Sequence, residues 1–219
     1  VMSGHIEKNK VPDLNPQPGF YIVGVSSTGM HSNGFTGGRH TLLAPDATLE
    51  PRAEWRVHYT GRFDLTDTPE ELEGKTILEV MQVPTALYMV EAALIGQELN
   101  DNRVYGINIT GNGLHNFNRV GNNVAFEISD PLKTLPIHRL LMQESGWDTQ
   151  KAYTKQNMGM GFAYIVPDLE TAERVTSIIN GRGENRAQII GQVVKNESAE
   201  LVTRLHLGDS VYRFEGYNG

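Results

Sequence analysis

Phe20-Tyr21-Ile22-Val23-Gly24-Val25-Ser26-Ser27-Thr28-Gly29-Met30-His31-Ser32-Asn33-Gly34-Phe35 carries the two signals on which the reading of this chain turns. Phe20 to Val25 is a short apolar run of aromatic and β-branched residues, bounded by Gly19 and by Ser26-Ser27, which is the pattern of a buried strand. A loop of glycine, hydroxyl and amide residues follows at once. The next helix is expected to end near Leu43, and glycines at 29, 34, 37 and 38 predict that it is short or late to start.

Two further loops at strand ends share that composition: Thr110-Gly111-Asn112-Gly113-Leu114-His115-Asn116 and Asn157-Met158-Gly159-Met160-Gly161. Glycine lets the backbone approach a ligand or turn with positive φ. Successive N–H groups can then converge on an anion without a formal positive charge, while hydroxyls and amides add donors for phosphate or ribose. A single glycine-rich turn is most often only a tight turn. Three matched turns point to a shared crevice. His31 reads either as a general acid/base or phosphate donor, or as a loop histidine satisfied by a backbone carbonyl.

Outward from the loops, strands are expected at Val104 to Ile109, Val124 to Ile128, Met160 to Val166, Gln188 to Val194, Leu201 to Leu207 and Val211 to Phe214, the last two joined at Gly208-Asp209. Helical spacing predicts a helix from Pro84 to Leu99 with Ala86, Leu87, Val90, Ala93 and Leu94 on one face. Others open at Leu135-Pro136-Ile137 and after Pro167-Asp168. Residues 44 to 74 look like an insertion. Trp55, Val57 and Tyr59 alternate as in an amphipathic hairpin, and Thr68-Pro69-Glu70-Glu71 resembles a capping box opening a short helix that Gly74 stops. Strands and helices interleave without strict βαβ alternation, so the fold class is α/β (α+β), a mixed β-sheet flanked by helices.

Composition sets the outer limits. At roughly 150 residues per domain, 219 residues make one large domain, or one domain and a remnant. With 39% hydrophobic and 21% charged residues a real core is available. Cysteine is absent, which removes disulfides, thiolate metal sites and cysteine nucleophiles. Lys and Arg number 19 against 26 Asp and Glu, a net charge of −7, so nucleic-acid and membrane partners are not expected. No apolar run reaches the length of a membrane span. The histidines show no HExxH spacing, no G-x-x-x-x-G-K-[ST] or G-x-S-x-G is present, and no metal site is expected on this chain. The first residues lack the pattern of a signal peptide, which makes the cytoplasm the expected location. Residues 1–18 are polar and rich in Pro and Asn, and read as a linker remnant ahead of a domain over 19–219.

Taken in order, these segments resemble the C-terminal half of aminoimidazole ribonucleotide (AIR) synthetase, the phosphoribosylformylglycinamidine cyclo-ligase family of purine biosynthesis. The strand and loop from Phe20 to Phe35 are similar to its Ser-Ser-Gly-x-His-Ser-Asn-Gly segment, with Thr28 shifting the spacing. Pro84-Thr85-Ala86-Leu87-Tyr88, Ile109-Thr110-Gly111-Asn112-Gly113-Leu114, Asn157-Met158-Gly159-Met160-Gly161 and Gly191-Gln192-Val193 resemble later family segments. Asn108 stands where the family has His, Asn112 where it has Gly and Asn118 where it has Pro.

The resemblance implies an ATP-dependent ligase acting on a phosphorylated ribonucleotide. ATP and magnesium would be held mainly by an N-terminal domain absent here, which is also the expected partner and makes the full-length protein a homodimer. Here it implies His31 and Asn108 as catalytic residues. Substrate and phosphate contacts would come from Ser27, Gly29, Ser32, Asn33 and Gly34, from Thr110, Gly111, Asn112, Gly113 and Asn116, and from Asn157, Gly159 and Gly161. Exchange of His31 is expected to cost binding or turnover rather than stability. The alternatives are a diverged paralogue (the superfamily includes formylglycinamidine ribonucleotide synthetase, selenophosphate synthetase, thiamine-monophosphate kinase and a hydrogenase-maturation dehydratase) or a catalytically silent ligand-binding module.

Overall fold

All seven apolar runs form strands: β1 (Tyr21–Ser26), β2 (Tyr105–Asn108), β3 (Val124–Ile128), β4 (Met160–Val166), β5 (Ala187–Lys195), β6 (Val202–Leu207) and β7 (Ser210–Glu215). They make one sheet in the order β2-β4-β1-β5-β3-β6-β7. Every neighbouring pair is antiparallel except β3 and β6, so the sheet is mixed. These elements come from a computed structural model, which describes residues 8, 11, 13–45, 58–198 and 200–216. The helices are α1 (His31–Leu42), α2 (Ile77–Met81), α3 (Met89–Leu99), α4 (Pro136–Ser145), α5 (Thr149–Lys155) and α6 (Leu169–Arg182), with 3-10 segments at Glu70–Leu72 and Gly113–Arg119.

Alternation along the central strands explains why both faces are covered. Ile22, Ile107, Ile165 and Phe126 point to one face, where Leu114, Phe117, Ala152 and Tyr153 close the main core. Val23, Val25, Tyr164 and Val166 point to the other, under Ala172, Val175 and Ile179 of α6 and Ile95 of α3. A strand buried on both sides is apolar throughout, which is how Phe20 to Val25 reads. A third cluster lies to one side. Met30, Leu42 and Leu43 meet Phe63, Leu72, Ile77 and the α4 residues Ile137, Leu140 and Leu141 there.

Several expectations change. α1 starts at His31 and runs 12 residues despite its glycines. Close packing explains this: a Cβ at Gly34 would overlap the Gln156 amide, and one at Gly38 would meet Met30 Sδ at 2.5 Å. Tertiary fit outweighs a propensity cost of about 1 kcal/mol per glycine. Residues 68–74 form only a 3-10 turn with no side-chain cap, while a true capping box, Thr76 with Glu79, opens the unpredicted α2. The helix expected from Pro84 begins at Met89, and its apolar face is turned outward: Leu87 is 73% and Met89 68% exposed, whereas Glu91 and Ile95 are buried. The α5 helix, signalled only by its Asp148 cap, was not expected.

Trp55 and Val57 of the expected hairpin, and most of the expected linker, lie outside the described residues. The rest of the linker, from Asp13, is bonded to the body: the Asp13 N–H donates to Asn102 O at 2.8 Å, and Leu14 O accepts from the Gly121 N–H at 3.1 Å. Among the described residues no helix is long and apolar enough to cross a membrane.

Candidate functional site

β4 runs antiparallel to both β1 and β2, so its beginning lies beside their ends. Ser26 pairs with Met160, and Asn108 with Phe162. The loops after β1 and β2 and the loop before β4 therefore share one end of the sheet. The third loop precedes its strand, and this reversal is what brings it to the other two.

Asn157 is the knot between the first and third loops. Its Oδ1 accepts from Ser27 Oγ at 2.9 Å and from the Gly159 N–H at 3.0 Å, and its Nδ2 donates to Gly29 O at 2.9 Å. The Ser27 N–H donates to Gly159 O at 2.9 Å. With Asn157 buried, its donors and acceptors are spent on the framework. The second loop is tied to the third where the Ile109 N–H donates to Gly161 O at 3.0 Å. Asn116 closes that loop on itself, accepting from Thr110 Oγ1 at 2.9 Å and donating to Gly113 O at 2.7 Å. Gly113 has φ +51° and backs directly onto Tyr153 O, where no side chain fits.

His31 is 8% exposed and has φ +56°, a left-handed backbone that is uncommon for a residue with a side chain. Its Nε2 accepts from the Thr28 N–H at 3.2 Å and the Ala86 N–H at 3.4 Å. Burial lowers its pKa, so the ring is neutral with its proton on Nδ1. The segment Pro84 to Tyr88, which the sequence placed inside a helix, instead clamps the first loop. Thr28 Oγ1 donates to Pro84 O at 2.6 Å, the Ser32 N–H donates to Thr85 Oγ1 at 3.2 Å, and the Tyr88 hydroxyl donates to Ser26 O at 2.9 Å. Gly161 lies under this clamp, where a Cβ would overlap the Tyr88 hydroxyl and stand 2.6 Å from His31 Cε1.

The candidate residues thus fall into two groups. Ser27, Gly29, His31, Gly34, Gly113, Asn116, Asn157, Gly159 and Gly161 are buried and hold the loops in shape. Ser32, Asn108, Thr110, Gly111 and Asn112 keep exposure from which a ligand can be met, and Asn33 lies in the first turn of α1. A cavity of about 240 Å³ opens beside His31, Ser32, Phe35, Val83 and Thr85. A larger one of about 590 Å³ lies past Ser26 and Gly159. The second loop lines neither.

Residues 17–204 match the family described as AIR synthase related protein, C-terminal domain. The chain belongs to this family. Among similar proteins, the phosphoribosylformylglycinamidine cyclo-ligase of Methanopyrus kandleri is 32% identical over 87% of this chain and 48% of its own length. That of Ligilactobacillus salivarius is 32% identical over 93% of this chain and 55% of its own length. This AIR synthase-type chain therefore spans about half the length of the curated relatives it matches. Of solved structures, the hydrogenase maturation protein HypE of E. coli aligns with 92% of this chain and 51% of its own at 18% identity and a TM-score of 0.49, a likeness too low to bear on function.

Beyond the candidate set, the AIR synthase-type domain holds two groups that periodicity did not reveal. His138 in α4 is fully buried with neither ring nitrogen hydrogen-bonded, and its pKa is pushed down to about 3 by burial and then by His31. Glu91 is 1% exposed and accepts from Asn185 Nδ2 at 2.9 Å. A polar residue on the inner face of a helix has no sequence signal when its partners lie about 90 residues away.

Proposed function

We propose that this chain is the substrate-binding C-terminal half of an ATP-dependent cyclo-ligase, which closes the imidazole ring of formylglycinamidine ribonucleotide to give aminoimidazole ribonucleotide. The observation that carries this reading is family membership over residues 17–204 together with three loops tied at one sheet end. In this reaction the formyl amide oxygen takes a phosphoryl group from ATP, releasing ADP, and attack by the amidine nitrogen closes the ring as that oxygen leaves as inorganic phosphate. Such chemistry asks the protein mainly for positioning and for donors near developing charge.

Ser32, Thr110, Gly111 and Asn112 contact the ribonucleotide, and Asn108 faces it from β2. His31 acts through the first loop: its inward-facing acceptor holds Thr28 and Ala86, and so fixes where the loop's amides point. Among the described residues no group of three or more His, Asp or Glu gathers that could hold a metal ion, so no step is assigned to magnesium on this chain. ATP and magnesium belong on the remaining half of a longer protein. That half docks on the apolar rim formed by Phe35, Val83, Leu87, Met89 and Val90, and residues 44–74 are an insertion in the domain.

The test is to express the chain together with an N-terminal half of the kind its relatives carry and to follow aminoimidazole ribonucleotide. Ring closure supports the reading. Tight ribonucleotide binding without turnover would point instead to a silent module, the reading that Asn108 in place of the family's His favours.

A further inference from the structure

We propose that the 590 Å³ cavity beyond the first and third loops is a phosphomonoester site, in which Lys133 and Arg186 take the phosphate of a phosphorylated pentose. The proposal rests on the reading above for the organic part of the ligand, but its charge argument is independent. Cavities of roughly 300–1,000 Å³ are the usual size for small-molecule sites. In a chain of net charge −7, this one is lined by a lysine and an arginine and by no carboxylate. Among the described residues neither cation is engaged in an ion pair. A planar guanidinium and a compact ammonium lining one cavity suit a phosphate, one by paired hydrogen bonds and the other as a point charge.

The walls are held in place before any ligand arrives. The Arg186 N–H donates to Ser26 Oγ at 3.0 Å, and the Ser26 N–H donates to Arg186 O at 2.7 Å. Gln188 Nε2 donates to Asp130 O at 2.8 Å, linking the start of β5 to the segment that carries Lys133. That segment lies directly on the third loop, where Lys133 O would meet a Cβ at Gly159 at 2.5 Å. The remaining wall is the C-terminal end of α6, at Asn180 and Gly183. A helix C-terminus repels anions and accepts hydrogen bonds, so sugar hydroxyls face α6 while the phosphate faces Lys133 and Arg186. The cavity beside His31 has no charged lining residue and a further one of about 610 Å³ is lined by Glu127, so the cavity with two cations suits the phosphate best. Loop amides alone were expected to grip a sugar phosphate; this geometry adds two cations.

The probe is D-ribose 5-phosphate titrated into the 219-residue chain by calorimetry, with ribose and inorganic phosphate as companions. Ribose 5-phosphate should bind, ribose alone should not, and affinity should fall as salt rises. Lys133→Ala and Arg186→Ala should each weaken binding about tenfold, the scale of a lost charge-assisted hydrogen bond. Arg186→Lys should lose less. Both positions are exposed, so an unchanged melting temperature confirms that the variants fold. Binding that is absent, or unaffected by both alanine variants, overturns the site and leaves the ring-closure reading to its own assay. Arg186-dependent binding in a protein that never closes the ring keeps the site and removes that reading.

Discussion

His138 puts two polar ring nitrogens in an apolar place. It sits between Ile137 and the buried leucines of α4 with both nitrogens unpartnered, and burial holds its pKa near 3. The ordinary histidine value is about 6.5. Between those values the unfolded chain binds a proton that the folded chain does not, so stability rises with pH and is lost as pH falls from 6.5 toward 3. One such group contributes a slope of about 1.4 kcal/mol per pH unit. His138→Phe, a ring of similar size with no polar atom, should raise stability by about 1–3 kcal/mol at neutral pH. Urea melts from pH 7 to 4.5 should show that slope shrinking in the variant. His31 differs because its Nε2 has partners. His31→Ala leaves the Thr28 and Ala86 N–H groups without an acceptor, and urea melts should show a loss of about 1–3 kcal/mol. Where the sequence led to an expected small loss, the two hydrogen bonds to Nε2 raise the expected cost.

At the scale of elements, α3 shows how far a pattern can be read. Its apolar spacing was correct as helix and reversed as to side, because periodicity locates a stripe without saying what covers it. The inner face is Tyr88, Glu91, Ile95 and Leu99, and Glu91 joins it to α6 through Asn185 and, at 3.8 Å, Arg182. Glu91→Ala takes the buried acceptor from Asn185 Nδ2, while Arg182 keeps its 2.7 Å pair with Glu184, and thermal melts should record a loss of about 1–3 kcal/mol. α2 is five residues long and depends on its cap, so Thr76→Ala should cost about 1 kcal/mol in the same assay. The seven strands were legible because short apolar runs between turn residues admit few other readings. α5 was not, since Thr149-Gln150-Lys151-Ala152-Tyr153-Thr154-Lys155 carries only two buried side chains and one cap. In the site, loop composition marked the loops correctly. It could not separate residues that meet ligand from residues such as Asn116 and Asn157, whose amides are consumed in holding the loops. Nor could it reveal the Pro84 to Tyr88 clamp, whose contacts span more than fifty residues.

For the whole molecule, the outward face of α3 is the feature that isolation leaves unexplained. Leu87, Met89 and Val90 stand exposed and follow within a few residues of Val83, Pro84 and Thr85, which line the smaller cavity together with the exposed Phe35. A protein that leaves a leucine just ahead of a helix, and a methionine and a valine on it, in water gains nothing from it, whereas contiguous apolar patches mark contact surfaces. The relatives are about twice as long as this chain. The N-terminal half proposed above, docked on this rim, would also lie over His31 and Ser32. Substituting Leu87→Glu and Met89→Glu together tests this without touching the core. In the isolated chain both side chains are solvated, so the melting free energy should stay within about 0.5 kcal/mol of the parent per substitution. In the co-expressed pair the same changes should abolish co-purification of the two halves and, with it, ring closure. The isolated chain should hydrolyse no ATP in either form. Retained co-purification in the double variant would place the docking surface elsewhere. ATP turnover by the isolated chain would instead break the proposed division of labour between the halves.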